Sequence, residues 1–190
     1  MGPIMPMARL VLKELLERLV AADATERAHQ EAILALLGRS GDVTSRRHYE
    51  PGHLTASAFV LSPDDSRLLL IHHGKLNRWL QPGGHLEPSD LSLEAAARRE
   101  AKEETGVREL ELLVGPFDVD VHEIPGRAEE PAHRHYDVRF LFRAPEEALT
   151  SGSDALAARW VSLDEVSSLE SDESVLRAVR KLRSHWVSFQ

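Results

Sequence analysis

The chain has no cysteine among its 190 residues. Disulfides, thiolate nucleophiles and Cys-ligated zinc are therefore excluded, and thiols say nothing about the redox compartment. Positive charge is also in deficit: 23 Lys and Arg stand against 31 Asp and Glu, for a formal net charge of -8. A protein that tracks nucleic-acid phosphates by bulk electrostatics has the opposite sign, so polymeric nucleic acid is not an expected partner. Small phosphates are not excluded, because a bound divalent cation inverts the field where the chemistry happens. Long apolar runs are missing as well. The stretch from Leu10 to Ala22 is interrupted by Lys13, Glu14, Glu17 and Arg18, which neither a secretory signal nor a membrane span carries. Met1-Gly2 opens like a myristoylation signal, but Pro6 stands where that signal needs Ser or Thr. No repeat or low-complexity tract is visible. These absences read as a soluble, cytoplasmic protein without a membrane partner.

What is present is 42% hydrophobic and 28% charged residues, enough for one sizeable core and one compact domain. Leu12, Leu15, Leu16 and Leu19 recur at helical spacing, and a second amphipathic stretch runs from about Glu26 to Leu37, opened by Thr25 and closed by Gly38. The Leu stripe needs cover, either on the domain or on a second subunit, which would make a homodimer. Residues 1–50 thus read as a helical segment and linker, and 51–190 as the main domain. From His53 onward the pattern turns to short β-rich runs at Leu54–Leu61 and Leu68–His72, joined by the turn Ser62-Pro63-Asp64-Asp65-Ser66. Further strand runs lie at Leu110–Val114, Phe117–Ile124, Tyr136–Phe142 and Arg159–Ser162, and helices at Asp164–Leu169 and Asp172–Trp186. Strands around one internal helix, with helices at both ends, predict an α/β fold with a mixed sheet sandwiched by helices.

The internal helix carries the chemistry. At about 100° per residue, Leu93, Ala96, Ala97, Glu100, Glu103 and Glu104 share one face. Its apolar end must pack on protein, so the three carboxylates continue onto a partly enclosed surface. Enclosed carboxylates need cations or protons. Oxygen-only ligands, with no His or Cys at zinc spacing, favour Mg²⁺ with Mn²⁺ as a substitute. A solvated surface helix with i,i+4 pairs such as Arg99 and Glu103 would look similar, so the flanking residues decide.

Those flanks, Gln81-Pro82-Gly83-Gly84 ahead of the helix and Arg99-Glu100-Ala101-Lys102-Glu103-Glu104-Thr105-Gly106-Val107 within it, resemble the box of the Nudix (MutT-like) hydrolases. The second part matches position for position. The first departs: Asp90 stands where the family has Glu, and eight residues rather than seven separate it from Arg99. Asp90 is then either a partner for Arg99 or a helix N-cap, a role Ser92 could share. The segments 72–76, 117–125 and 133–140 are similar to those of a little-characterised Nudix subgroup.

The resemblance implies a Nudix-type α/β/α sandwich and a Mg²⁺-dependent hydrolase of a diphosphate linkage in a small nucleotide-like substrate. It implies metal ligation by Glu100, Glu103, Glu104 and the Gly83 carbonyl, with Arg99, Glu100 and Glu103 in the catalytic machinery. A base from a later loop is the other option, with Glu147 and Asp154 as candidates and Glu146 beside them. His85, directly after Gly84, is a candidate for substrate contact, and Arg139 for gripping phosphate, as are Arg127 and Arg134. Six histidines, His72, His73, His85, His122, His133 and His135, lie in or beside the strands around the box, as phosphate contacts, proton carriers, additional metal ligands or hydrogen-bonded strand ends. The position about sixteen residues past the box, where family members acting on ADP-ribose or dinucleoside polyphosphates tend to carry Pro or Tyr, holds Glu123. An isomerase of the same fold needs a catalytic cysteine and is excluded. The alternative from another class is a non-catalytic nucleotide-binding module; such modules usually lose box glutamates, and all three are here.

Overall fold

Asp23 caps a helix because its carboxylate accepts from Glu26 N at 2.8 Å, while the Glu26 carboxylate reaches back to Ala22 N at 2.6 Å. That reciprocal pair opens α2 (Ala24–Leu37), which follows α1 (Pro6–Arg18). The computed structural model describes residues 6–74, 76–127, 129–149 and 157–185. After α2 come β1 (Gly52–Leu61), β2 (Arg67–His73), β3 (Arg78–Leu80), β4 (Gly83–His85), α3 (Leu93–Thr105), β5 (Glu111–Ile124), β6 (His133–Arg143), β7 (Ala158–Ser162), a 3₁₀ turn at Val166–Ser168, and α4 (Glu173–His185). The strands form one mixed seven-stranded sheet in the order β3-β2-β1-β6-β5, with β4 paired to β1 and β7 to β2. No helix among the described residues is long and apolar enough to cross a membrane.

The chain condenses into two compact units, each assembled from three segments. The first contains Met1–Ser57, Gly83–Ala97 and Val114–Phe140. In it Leu12, Leu16, Ile33 and Leu36 are buried, and Gln30 Nε2 donates to the Leu16 and Leu19 carbonyls, tying α2 to the end of α1. The Leu stripe is only half covered: Leu12 and Leu16 are inside, whereas Leu15 is exposed with Leu10 and Val11. Leu12 lines a small pocket with Leu37, Val43 and Leu54, so α1 packs on this unit's own body.

The second unit contains Ala58–Pro82, Arg98–Leu113 and Leu141–Gln190. Its hairpin turns on Asp64, which accepts from the hydroxyls of Ser62 and Ser66, while Asp65, at φ 59°, holds Arg143 through two 2.7 Å bonds. β2 pairs antiparallel with β3 and β7.

Three expectations change. The runs at 110–114 and 117–124 are one strand, because β5 closes the sheet order at its edge and an edge strand tolerates the missing N–H of Pro116. The helix expected at 164–169 is a single 3₁₀ turn. The cap of α2 is Asp23 rather than Thr25.

Candidate active site

α3 is capped by Ser92, whose Oγ accepts from Ala95 N at 3.1 Å. Asp90 instead closes the preceding turn, accepting from Glu87 N at 2.8 Å. Leu93, Ala96, Ala97 and Ala101 are buried; the small side chains let the helix seat closely, and the carboxylates follow on the same stripe. Thr105 Oγ1 donates to the Ala101 carbonyl at 2.6 Å, and Gly106, at φ 70°, takes the left-handed turn that ends the helix. Arg98 donates to the Leu110 carbonyl and lies 4.9 Å from the Phe142 ring centre, which fixes the helix's rotation within the second unit.

On that helix Arg99 bridges two of the box carboxylates, at 2.8 Å from Glu100 Oε1 and 3.1 Å from Glu103 Oε2. The enclosure anticipated for all three holds unevenly. Glu100 is 16% exposed and Glu103 52%, with Glu104 half-buried. An oxygen-only set that runs from enclosed to open along one helix face suits a hard divalent cation that must also reach a substrate. Glu147 is paired with Arg67, and its carbonyl accepts from Trp160 Nε1 at 3.0 Å. Asp154 and Lys75 lie outside the described residues.

Gly83 belongs to β4, which pairs with β1 in the register Ser57↔Gly83 and Thr55↔His85. A Cβ at Gly83 would stand 2.7 Å from Ser57 Cβ and 2.8 Å from the Ala56 carbonyl oxygen, so only glycine permits this approach. Gly52, at φ 149°, plays the same part at the start of β1, where a Cβ would meet the Arg134 backbone.

The first unit also places the remaining candidates. Arg139 is 2% exposed, not on a phosphate-accessible surface. Its guanidinium meets Asp137 at 2.8 Å, Asp118 at 3.1 Å and Asp120 at 3.5 Å. Burial opposes its charge, but the three carboxylates more than offset that and hold it above the ordinary guanidinium value. Asp137 further accepts from the Thr55 and Ser57 hydroxyls at 2.8–3.0 Å. His122 Nδ1 donates to the Asp120 carboxylate at 3.1 Å. Burial works against its charged form, yet the bond to Asp120 and the carboxylates of 137 and 120 raise its pKa above the ordinary value. Arg134 forms an exposed pair with Glu123 at 2.8 Å, and Arg127 makes a backbone bridge to Glu130.

His85 joins His135, Nε2 to Nε2 at 3.3 Å, beside His53, His133 and His122. His53 was not among the histidines singled out from the sequence, because it precedes the apolar run rather than the box. The alternation His53-x-Thr55-x-Ser57 was the available signal. In the second unit His72 lies 5.2 Å from the Trp79 ring and His73 accepts from Leu76 N.

The NUDIX domain family model matches residues 51–182, more than half of the chain. The chain belongs to the NUDIX domain family. It is 29% identical over 132 residues to a MutT-like protein of Streptomyces ambofaciens, covering 70% of this chain and 79% of that one. It is 36% identical over 98 residues to a protein of Lactococcus lactis subsp. cremoris named "Probable DHNTP pyrophosphohydrolase", covering 50% of this chain and 55% of that protein, so little more than half of that relative is spanned. A NUDIX-family hydrolase from Clostridium perfringens shares the fold, with a TM-score of 0.53, 24% identity, and coverage of 70% of this chain and 97% of that one.

Proposed function

We propose that this NUDIX protein hydrolyses a diphosphate linkage in a small nucleotide-like substrate, using a divalent cation held by Glu100, Glu103 and Glu104. The observation that carries the reading is the box helix itself: a buried Leu-Ala stripe that continues into three carboxylates, two of them bridged by Arg99. When bound, Mg²⁺ would polarise the phosphoryl oxygens and lower the pKa of a bound water. The chain's own residues supply position and proton transfer. Arg99 fixes the rotamers of Glu100 and Glu103, and half-exposed Glu103 is the box acid best placed to take a proton from the attacking water. Water attacks phosphorus as the bridging P–O bond breaks, and two phosphate-bearing products leave. Of the loop acids, Glu147 is engaged by Arg67, which leaves Asp154 as the second candidate base. Arg139 is assigned no substrate contact, since its guanidinium is held by three aspartates.

The DHNTP pyrophosphohydrolase name of one relative supports DHNTP as the first member of a substrate panel, with nucleoside triphosphates beside it. Nucleotide sugars, ADP-ribose, dinucleoside polyphosphates and coenzyme A complete it. The test is product release from each compound with Mg²⁺ and with EDTA. Turnover that requires Mg²⁺ and is lost in Glu104→Gln is the expected result. Binding without turnover across the panel would instead favour a nucleotide-binding module.

A further inference from the structure

Alternate residues of a strand share a face. On β1 the positions 53, 55 and 57 are His, Thr and Ser; on β6 the positions 133, 135, 137 and 139 are His, His, Asp and Arg; on β5 the positions 118, 120 and 122 are Asp, Asp and His. These three strands are neighbours in the order β1-β6-β5, so one polar layer runs across them inside the first unit. At one end the layer is closed by the Arg139 and Asp137 network. At the other end it is not closed. His53 is 1% exposed, and its Nε2 is buried without a hydrogen-bond partner, a condition that folded proteins rarely tolerate.

We infer that His53, His85 and His135 form a binding site for a divalent transition-metal ion of the Zn²⁺ class, separate from the oxygen ligands of the box helix. One ring nitrogen from each of the three lies within 4.8 Å of the other two. The 3.3 Å between the Nε2 atoms of His85 and His135 equals the edge of a zinc tetrahedron, about 3.3–3.4 Å for Zn–N bonds of about 2.0–2.1 Å. His53 is already oriented for the task. Its Nδ1 lies 3.3 Å from the His48 carbonyl oxygen, and His48 Nδ1 lies 2.7 Å from the Gly52 carbonyl oxygen. With Nδ1–H donating to that carbonyl, the orphaned Nε2 carries the lone pair, which is the arrangement that orients metal-binding histidines. Three imidazoles suit Zn²⁺, Co²⁺ or Ni²⁺ rather than Mg²⁺, and leave a fourth position for water or a substrate oxygen.

The test uses the untagged full chain, stripped with a chelator and titrated with Co²⁺ and then Zn²⁺ in excess Mg²⁺. The expected result is one equivalent of Co²⁺ with the visible absorption of a four-coordinate nitrogen-rich site, displaced by Zn²⁺ and untouched by Mg²⁺. His85→Gln and His135→Gln, both at partly exposed positions, should each weaken binding at least tenfold and abolish the thermal stabilisation that Zn²⁺ gives the wild type. Glu103→Gln and Glu104→Gln should leave the Co²⁺ titration unchanged, which separates this site from the box. His53→Gln is read with circular dichroism beside it, because its ring is buried; the other two variants decide the matter if it fails to fold. Absence of micromolar or tighter Zn²⁺ binding in the wild type, or an unchanged titration in His135→Gln, would overturn the assignment. So would loss of the Co²⁺ site in Glu104→Gln but not in the histidine variants.

Discussion

Replacing Arg139 by Met would keep most of the side-chain volume and remove the one guanidinium that Asp118, Asp120 and Asp137 share. The carboxylates are buried and 2.8–3.5 Å from its nitrogens. Breaking a buried ion pair by deleting one partner costs about 3–5 kcal/mol, because the remaining charge is left uncompensated. Here three carboxylates lose a common partner, so the upper part of that range is expected, with the hydroxyls of Thr55 and Ser57 offsetting only the part at Asp137. For a protein of this size 1 kcal/mol corresponds to about 2–4 °C, so a loss of about 4–5 kcal/mol should lower Tm by about 8–20 °C. The assay is thermal unfolding beside steady-state kinetics. Adding Asp118→Asn to Arg139→Met should recover part of the loss, and the double-mutant cycle would give a coupling energy well above that of distant residues. A wild-type Tm with a raised KM in Arg139→Met would refute the buried-network account and return this arginine to the substrate.

Three other outcomes follow from the geometry. Glu104→Gln should lower kcat at least a hundredfold, about 2.7 kcal/mol of barrier, while stability in EDTA stays level or rises as repulsion among the box carboxylates is relieved; normal kcat at saturating Mg²⁺ would dismiss Glu104 as a required ligand. In EDTA the protein should lose stability as pH falls from about 6.5 toward 4, because the unfolded chain protonates His53 first, while burial of that ring and then the nearby His85, His133 and His48 keep it uncharged in the folded chain until about 4. That window is worth on the order of 3 kcal/mol, is fully retained above the unfolded pKa, and should shrink in His53→Gln; equal pH slopes for the two proteins would count against it. Gly83→Ala forces a methyl against Ser57 and the Ala56 carbonyl and should cost about 1–3 kcal/mol together with turnover, whereas unchanged Tm and kcat would mean that the β4 register does not depend on this glycine.

The box was legible because its three carboxylates sit at i, i+3 and i+4 on one helix, where sequence spacing and spatial spacing coincide. β1, β2, β6 and β7 were legible for a similar reason, each being a local run bounded by turn residues. β3 and β4 were not, since three residues carry no period and Gly83-Gly84 has the wrong propensity for a strand; tertiary pairing with β1 makes them. The runs 110–114 and 117–124 join across Pro116 into β5 because a strand's position in the sheet, edge or centre, is not a local property. The histidine set was beyond any spacing rule, with ligands at 53, 85 and 135 brought together by three different strands. Arg139 was misplaced on the surface because Arg is mostly exposed, and its burial depends on carboxylates from β5 that only the sheet order brings near.

One signal in the sequence does bear on both buried features. All ten residues of β1 are buried, and β6 is buried over most of its length; strands covered on both faces should read as near-continuous apolar runs. Yet every second residue from His53 to Ser57 and from His133 to Arg139 is polar. Such a pattern in a covered strand demands compensation at each position, because a partly satisfied polar network is less stable than an apolar core. Arg139 and the aspartates supply that compensation to each other, which accounts for one end of the layer without any ligand. At the histidine end the Nε2 of His53 is buried without a hydrogen-bond partner, among the rings of His85, His133 and His135. A cation is the partner that can satisfy three converging imidazoles at once, so Zn²⁺ should stabilise the wild-type protein and fail to stabilise His135→Gln, while Mg²⁺ should act on both alike.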